Sequence, residues 1–429
     1  MRRWFDPARR VTWVVGDQAL SSLTNFILGA LVARAVSVED FGVFAIVFTT
    51  YGTALGVSRA LATEPFIIRY PAADPERWSR GVRASSGTAL AVGVTIGIVT
   101  ALVGAVIAGT LGGALVILGA LLPGLLVQDC WRFVFFARRM GAAAFLNDLL
   151  WAVVLIPAIL AVVWTGHGTI GWLIVAWGGA GAAGAVFGVV QSRAWPQPQQ
   201  AIRWLRDERD LASRFFGELA VRSLGGQLGT YGIGAVAGLA AVGALRASDM
   251  LLGPINIISL AVGLAGVSEF VLLAKSSLAR LQTGAVILSA VMAGVVVVWG
   301  GIALFLPSSI GTQILGASWY GARALLLPLA LAQVAASAFS GPMTGLRALA
   351  AAQRGLRLRI VLSSMSLITT VAAAAVGGVM LAAWTMAAMG FVGATLWWIE
   401  FRREIRAQAR SLEAAAEATR LGAVRTARP

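Results

Sequence analysis

The segment Arg69-Tyr70-Pro71-Ala72-Ala73-Asp74-Pro75-Glu76-Arg77-Trp78-Ser79-Arg80-Gly81-Val82-Arg83 sets four arginines between two apolar runs, 41–68 and 84–108. Each run is long enough to cross a bilayer as a helix, which takes about 20 residues at roughly 1.5 Å each. Positive side chains are held on the cytoplasmic side of a membrane, so the segment reads as a cytoplasmic turn between two spans. The pattern recurs along the chain. Basic clusters at 2–10, 69–83, 138–139, 193–214, 275–280, 347–359 and 402–428 hold 28 of the 34 Lys and Arg residues. Seven cytoplasmic clusters joined by out-and-back hairpins predict twelve transmembrane helices, with both termini in the cytoplasm.

Composition points the same way. The chain is 58% hydrophobic and only 12% charged, with a mean hydropathy of +0.82, against about 25% charged in soluble domains. The net charge of +15 lies at helix ends, where it meets anionic headgroups and sets topology, so nucleic acid is not the expected partner. Cys130 is the single cysteine. It cannot form an internal disulfide and reads as a small buried thiol. The charged N-terminus runs into an apolar stretch of spanning length with no small-residue cleavage pattern, unlike a signal peptide.

The longest internal polar stretch, 192–214, divides the chain almost in half. Lobes at 1–191 and 215–403 are expected on either side of it, with a cytoplasmic tail at 404–429. Within the linker, Ile202, Leu205 and Phe215 recur at helical spacing among charges, which predicts a short amphipathic helix on the cytoplasmic leaflet. A shift of 201 residues lays Asp17 on Glu218 and Gly42 on Gly243, and Glu64 falls near Glu269 with a slip of four. Two repeats with even helix numbers share orientation. The expected fold is therefore all-α, two six-helix lobes related by a pseudo-twofold along the membrane normal.

Charges inside a span cost about 2.5–3.5 kcal/mol at mid-membrane and need partners or water. Counting from the cytoplasmic clusters, Arg59 lies ~15 Å and Arg222 ~12 Å into the membrane. Asp17, Glu64, Glu218 and Glu269 form a shallower acidic layer. Arg59 has no carboxylate within one turn on its own helix. Glu218 and Arg222 are spaced i,i+4, and Asp129 and Arg132 i,i+3, so each pair is also placed to neutralise itself. Asp17 and Glu64, at similar depth on hairpin helices, are expected to be neighbours.

Several motifs carry a family resemblance. Helix 1 reads Gly16-Asp17-Gln18-Ala19-Leu20-Ser21-Ser22-Leu23-Thr24-Asn25-Phe26. The second span ends Arg59-Ala60-Leu61-Ala62-Thr63-Glu64-Pro65. The fourth holds Gln128-Asp129-Cys130-Trp131-Arg132, followed after a turn by Asn147-Asp148. The chain resembles the Wzx-type polysaccharide flippases of the multidrug/oligosaccharidyl-lipid/polysaccharide exporter superfamily. The resemblance implies a transporter that flips a lipid-linked oligosaccharide across the bacterial cytoplasmic membrane by alternating access, through a cavity between the lobes. It implies no metal and no cofactor, membrane lipids as surroundings, and a glycan polymerase or glycosyltransferases as candidate partners. Arg59 and Arg222, with Asn25 and Ser58, would take the anionic and hydroxyl groups of the substrate, because an arginine fork suits phosphate and sugar acids. Asp17, Glu64, Glu218 and Glu269 would be the coupling acids.

Two other readings compete. A cation-coupled multidrug exporter of the same superfamily would favour acids and aromatics over arginines in its cavity. A non-transporting scaffold for glycan enzymes would use the buried charges only structurally. An enzyme is not expected, since no glycine-rich phosphate loop, metal-ligand cluster or nucleophile–base pattern occurs.

Overall fold

The computed structural model describes residues 2–255, 270–274, 276–349 and 351–426. Among these the protein is all-α. Eight helices are long and apolar enough to span a membrane: Val38–Arg69, Pro75–Val106, Gly109–Ala137, Gly141–Trp164, Ile170–Ser192, Leu278–Leu304, Ser318–Ala348 and Gln353–Ser411. The last carries non-helical backbone at Gly377 and Gly378, where φ is +68° at Gly378, so it is two helices meeting at a glycine turn. The chain is a multi-pass membrane protein. The first helix, α1 (Arg2–Ala35), falls outside the eight. Asp17, Gln18, Ser21, Ser22, Thr24 and Asn25 give it a polar face. It also starts nine residues earlier than the apolar run suggested, extending helically through the basic N-terminal segment.

The described residues form two compact units, 1–247 with 307–322, and 248–306 with 323–429. In the first, α2 (Val38–Ser58) passes through a π-turn, Arg59–Thr63, into α3 (Glu64–Arg69). It is followed by α4 (Pro75–Val106), α5 (Gly109–Ala137), α6 (Gly141–Trp164) and α7 (Ile170–Ser192). Asp74 caps α4, its carboxylate accepting from the Glu76 and Arg77 backbone N–H groups at 3.1 and 2.9 Å, which holds that carboxyl below its ordinary range.

Helices α4 and α5 approach through small residues. A Cβ added at Gly97 would collide with the Gly119 carbonyl, one at Gly93 would sit 2.7 Å from Pro123 Cα, and one at Gly104 2.7 Å from the Gly112 carbonyl. Membrane helices lack a hydrophobic drive toward each other, so such close backbone packing supplies their association. The core continues through Phe44, Phe48, Tyr51 and Trp177, with Tyr51 edge-on to Trp177 at 5.0 Å. Cys130 is fully buried, its Sγ 3.7 Å from Ser85 Oγ.

The linker is a 3₁₀ turn, Pro198–Gln200, then α8 (Ala201–Asp207) and α9 (Arg209–Gly225). Of the expected apolar residues, Leu205 is partly buried against the core. Ile202 is 74% exposed, while Ala201, Trp204 and Glu208 are buried. Trp204 stacks near Tyr70 at 5.4 Å, and Arg69 clamps Glu208 at 2.7 Å and Asp210 at 2.5 Å. Burial pushes the Glu208 carboxyl up against the pull of Arg69. Aromatic anchoring on α3 chose the face, which hydrophobic spacing alone does not encode.

One pair matched by the 201-residue shift, Gly42 and Gly243, meets in space. A Cβ on Gly243, in α11 (Leu239–Leu252), would lie 2.7 Å from the Val38 carbonyl and 3.0 Å from Gly42 N. Between them in the chain, α10 (Gln227–Ala237) sends Tyr231 Oη to Thr50 Oγ1 at 2.9 Å. In the second unit, Phe270, Leu281, Ala285, Leu346, Trp397 and Phe401 form the core. The base of the C-terminal helix is tied by Arg354 to Glu404 at 2.7 Å and by Gln408 Nε2 donating to the Leu349 carbonyl at 3.2 Å.

Candidate functional site

The site begins with a proline. Pro65 has no N–H to offer the carbonyl four residues earlier, and its ring crowds that carbonyl. The carbonyl belongs to Leu61, and the helix answers by widening into the π-turn, with Glu64 N–H bonding back five residues to the Arg59 carbonyl. The carbonyls displaced by this register find partners from outside the helix. Trp204 Nε1 donates to Leu61 O at 3.0 Å, and Ser85 Oγ donates to Ala62 O at 3.0 Å. The π-turn starts at Arg59.

Arg59 does not stand alone. Its Nε donates to Asp129 Oδ2 at 2.9 Å and its Nη2 to Asp129 Oδ1 at 2.6 Å. Its guanidinium carbon lies 4.9 Å from the Phe133 ring centroid. The Asp129 side chain is buried, but that of Arg59 is 32% exposed. Two of five guanidinium N–H groups are used, and the outer edge at Nη1 keeps its donors.

One turn along α5, Arg132 holds a second centre. Its Nε and Nη2 lie 2.6 and 2.5 Å from Asp17 Oδ2, Nη2 donates to Gln18 Oε1 at 3.3 Å, and Nε is 3.5 Å from Asp148 Oδ2. Gln128 Nε2 donates to Asp148 Oδ1 at 2.9 Å and Asn147 Oδ1 at 3.2 Å. Asn147 Nδ2 donates in turn to the Gly184 carbonyl and to Gln191 Oε1, both at 3.0 Å. Four helices, α1, α5, α6 and α7, thereby share one buried polar network. Across both centres three carboxylates meet two guanidiniums. Asp17 Oδ1 is buried without a hydrogen-bond partner.

The spacing-based pairing of Asp129 with Arg132 is corrected. Each binds a residue from another helix, because α1, α6 and the π-turn bring better-aligned partners than an i,i+3 neighbour offers. The absence of a carboxylate near Arg59 on its own helix is likewise no absence in space, since Asp129 supplies it from α5. Glu218 is exposed and pairs with Arg214 at 3.4 Å, one turn earlier in α9. Asn25 is half-buried in a small cleft with Ser21, Thr24, Asp148, Trp151 and Leu155, and Ser58 is buried beside Arg59. Asp17 is fully buried on Arg132. Glu64 is half-buried at the end of the π-turn. Glu269 and the side chain of Arg222 lie outside the described residues. Asp129, Arg132, Asp148, Gln128 and Asn147 are the site members that depth counting missed. Their signal was the clustering of polar residues at 128–132 and 147–148 in otherwise apolar helices. Among the described residues, no group of three or more His, Cys, Asp or Glu is placed to hold a metal ion.

The whole-chain fold matches solved transporters. An inward-facing multidrug resistance MATE family transporter of the MOP superfamily aligns with a TM-score of 0.67 at 13% identity, covering 91% of this chain and 95% of that one. The lipid II flippase MurJ, in an inward closed conformation, aligns at 0.67 and 11% identity, covering 92% and 89%. A MOP superfamily transporter from Pyrococcus furiosus with a binding pocket of reversed polarity aligns at 0.54 and 13%, covering 94% and 96%. No curated protein matches the sequence. The family described as polysaccharide biosynthesis protein matches residues 8–267, the part that contains every residue of the Arg59–Arg132 network, and the chain belongs to that family.

Proposed function

We propose that the protein is a twelve-helix flippase of the bacterial cytoplasmic membrane, with both termini in the cytoplasm. It moves a polyprenyl-pyrophosphate-linked oligosaccharide from the inner to the outer leaflet by alternating access, for cell-surface polysaccharide synthesis. The observation that carries this reading is the partly exposed side chain of Arg59, presented by a π-turn with donors to spare. π-turns concentrate at functional positions, and a planar fork suits phosphate oxygens. Membership of a polysaccharide biosynthesis family and the fold shared with a lipid II flippase support a lipid-linked glycan as substrate. Arg222, Asn25 and Ser58 extend the polar lining, with Glu218 and Glu269 in the second half. Asp17, with Asp148 on the same guanidinium, is where a coupling proton would be held, because closely placed carboxylates resist double ionisation, and Glu64 is the other candidate acid.

The alternative is a multidrug exporter of the same superfamily. The excess of carboxylates over guanidiniums in the network favours it, since cationic drugs need acids. One experiment separates the two. Surface glycan output and drug efflux are compared for Arg59→Ala and the wild type at matched protein levels. Lost glycan output with efflux unchanged supports the flippase. Normal glycan output from Arg59→Ala ends that reading.

A further inference from the structure

The Nε–Nη2 edge of Arg59 already holds a carboxylate in the geometry a sugar acid would use. Asp129 donates nothing and accepts twice, at 2.9 and 2.6 Å, and it is tethered within bonding distance. A tethered group competes at an effective concentration of millimolar or above. A soluble monocarboxylate offers the same charge and the same two oxygens, so exchanging with Asp129 brings it no gain. At the free Nη1 edge it meets a guanidinium whose charge is already neutralised. A phosphate or pyrophosphate group differs in kind, with more charge and more acceptor oxygens than a carboxylate, so it can engage both edges of the fork.

We propose that Asp129 is a built-in competitor at Arg59, so that the site selects the phosphate part of its substrate and rejects monocarboxylate sugar acids. This rests on the reading that Arg59 meets the substrate. Asp129 is a positioning residue here, acting through the arginine it occupies.

The test uses the full-length protein purified in detergent, with inorganic pyrophosphate and glucuronate as probes in titration calorimetry. The wild type should bind pyrophosphate at least about tenfold more tightly than glucuronate. Asp129→Asn, which keeps the shape and removes the charge, should raise glucuronate affinity about tenfold or more. Asp129→Glu, which restores the charge, should lower glucuronate affinity again. Equal affinity of the wild type for both probes overturns the inference, and that measurement needs no variant to fold. Unchanged glucuronate affinity in a folded Asp129→Asn also overturns it. If Arg59→Ala binds pyrophosphate as the wild type does, the underlying reading of Arg59 fails instead.

Discussion

Arg132 and Asp17, 115 residues apart in sequence, are joined by two contacts of 2.6 and 2.5 Å to one carboxylate oxygen. This pair stitches α1 to α5, and Asp148 on α6 shares the same guanidinium at 3.5 Å. Asp17 is fully buried, and the Arg132 side chain is only 15% exposed. Removing one member of such a pair leaves a buried charge without its partner.

Arg132→Ala is therefore expected to destabilise the protein by about 3–5 kcal/mol. Asp17→Asn in the same background should recover part of that loss, since it removes the orphaned charge. Thermal unfolding of the two single variants and the double variant in detergent measures the coupling. Additive effects would show that the pair contributes no interaction of its own.

The indole N–H of Trp204 takes the place of the N–H that Pro65 lacks at the Leu61 carbonyl. Trp204→Phe keeps an aromatic ring beside Tyr70 and deletes that donor, leaving a buried acceptor unsatisfied at a cost of about 1–3 kcal/mol. Pro65→Ala restores a backbone donor, so the double variant Trp204→Phe/Pro65→Ala should regain much of the loss. Unfolding temperature and proteolysis within 193–210 read the result. A double variant no better than Trp204→Phe would show that the proline is not the cause of the vacancy at Leu61.

The α4–α5 seam can be probed by adding one methyl group. Gly97→Ala drives a Cβ into the Gly119 carbonyl and should destabilise by about 1–3 kcal/mol. Gly113→Ala, on α5 where a Cβ meets nothing within 4 Å, should be neutral or slightly stabilising. Parallel melting curves of the two variants check the contrast. Equal effects would mean that close backbone approach does not hold the seam.

Much of the architecture was legible from the chain. Alternation of arginine clusters with apolar runs marks a multi-pass helical membrane protein, because the translocation cost of Arg depends on local charge and not on tertiary context. The π-turn was not read from the apolar run 41–68, although Pro65 orphans the Leu61 carbonyl wherever the helix lies.

Partner choice was not legible. Depth along a helix follows from counting residues, but which neighbour a side chain meets depends on how each helix is rotated and which helix lies beside it. Asp129 and Arg132 satisfy the i,i+3 rule and still ignore each other, because α1, α6 and the π-turn deliver Asp17, Asp148 and Arg59 at hydrogen-bonding distance. The linker shows the same limit. Hydrophobic spacing picked out Ile202 and Leu205 but gave no sign that Trp204 anchors the linker, its ring near Tyr70 and its N–H on the Leu61 carbonyl of the π-turn. The sequence by itself determined that ionisable residues stand within helices long and apolar enough to span a membrane. Only the tertiary structure decided which are paired and left Arg59 with donors to offer, because pairing energies at these distances are set by geometry between helices far apart in the chain.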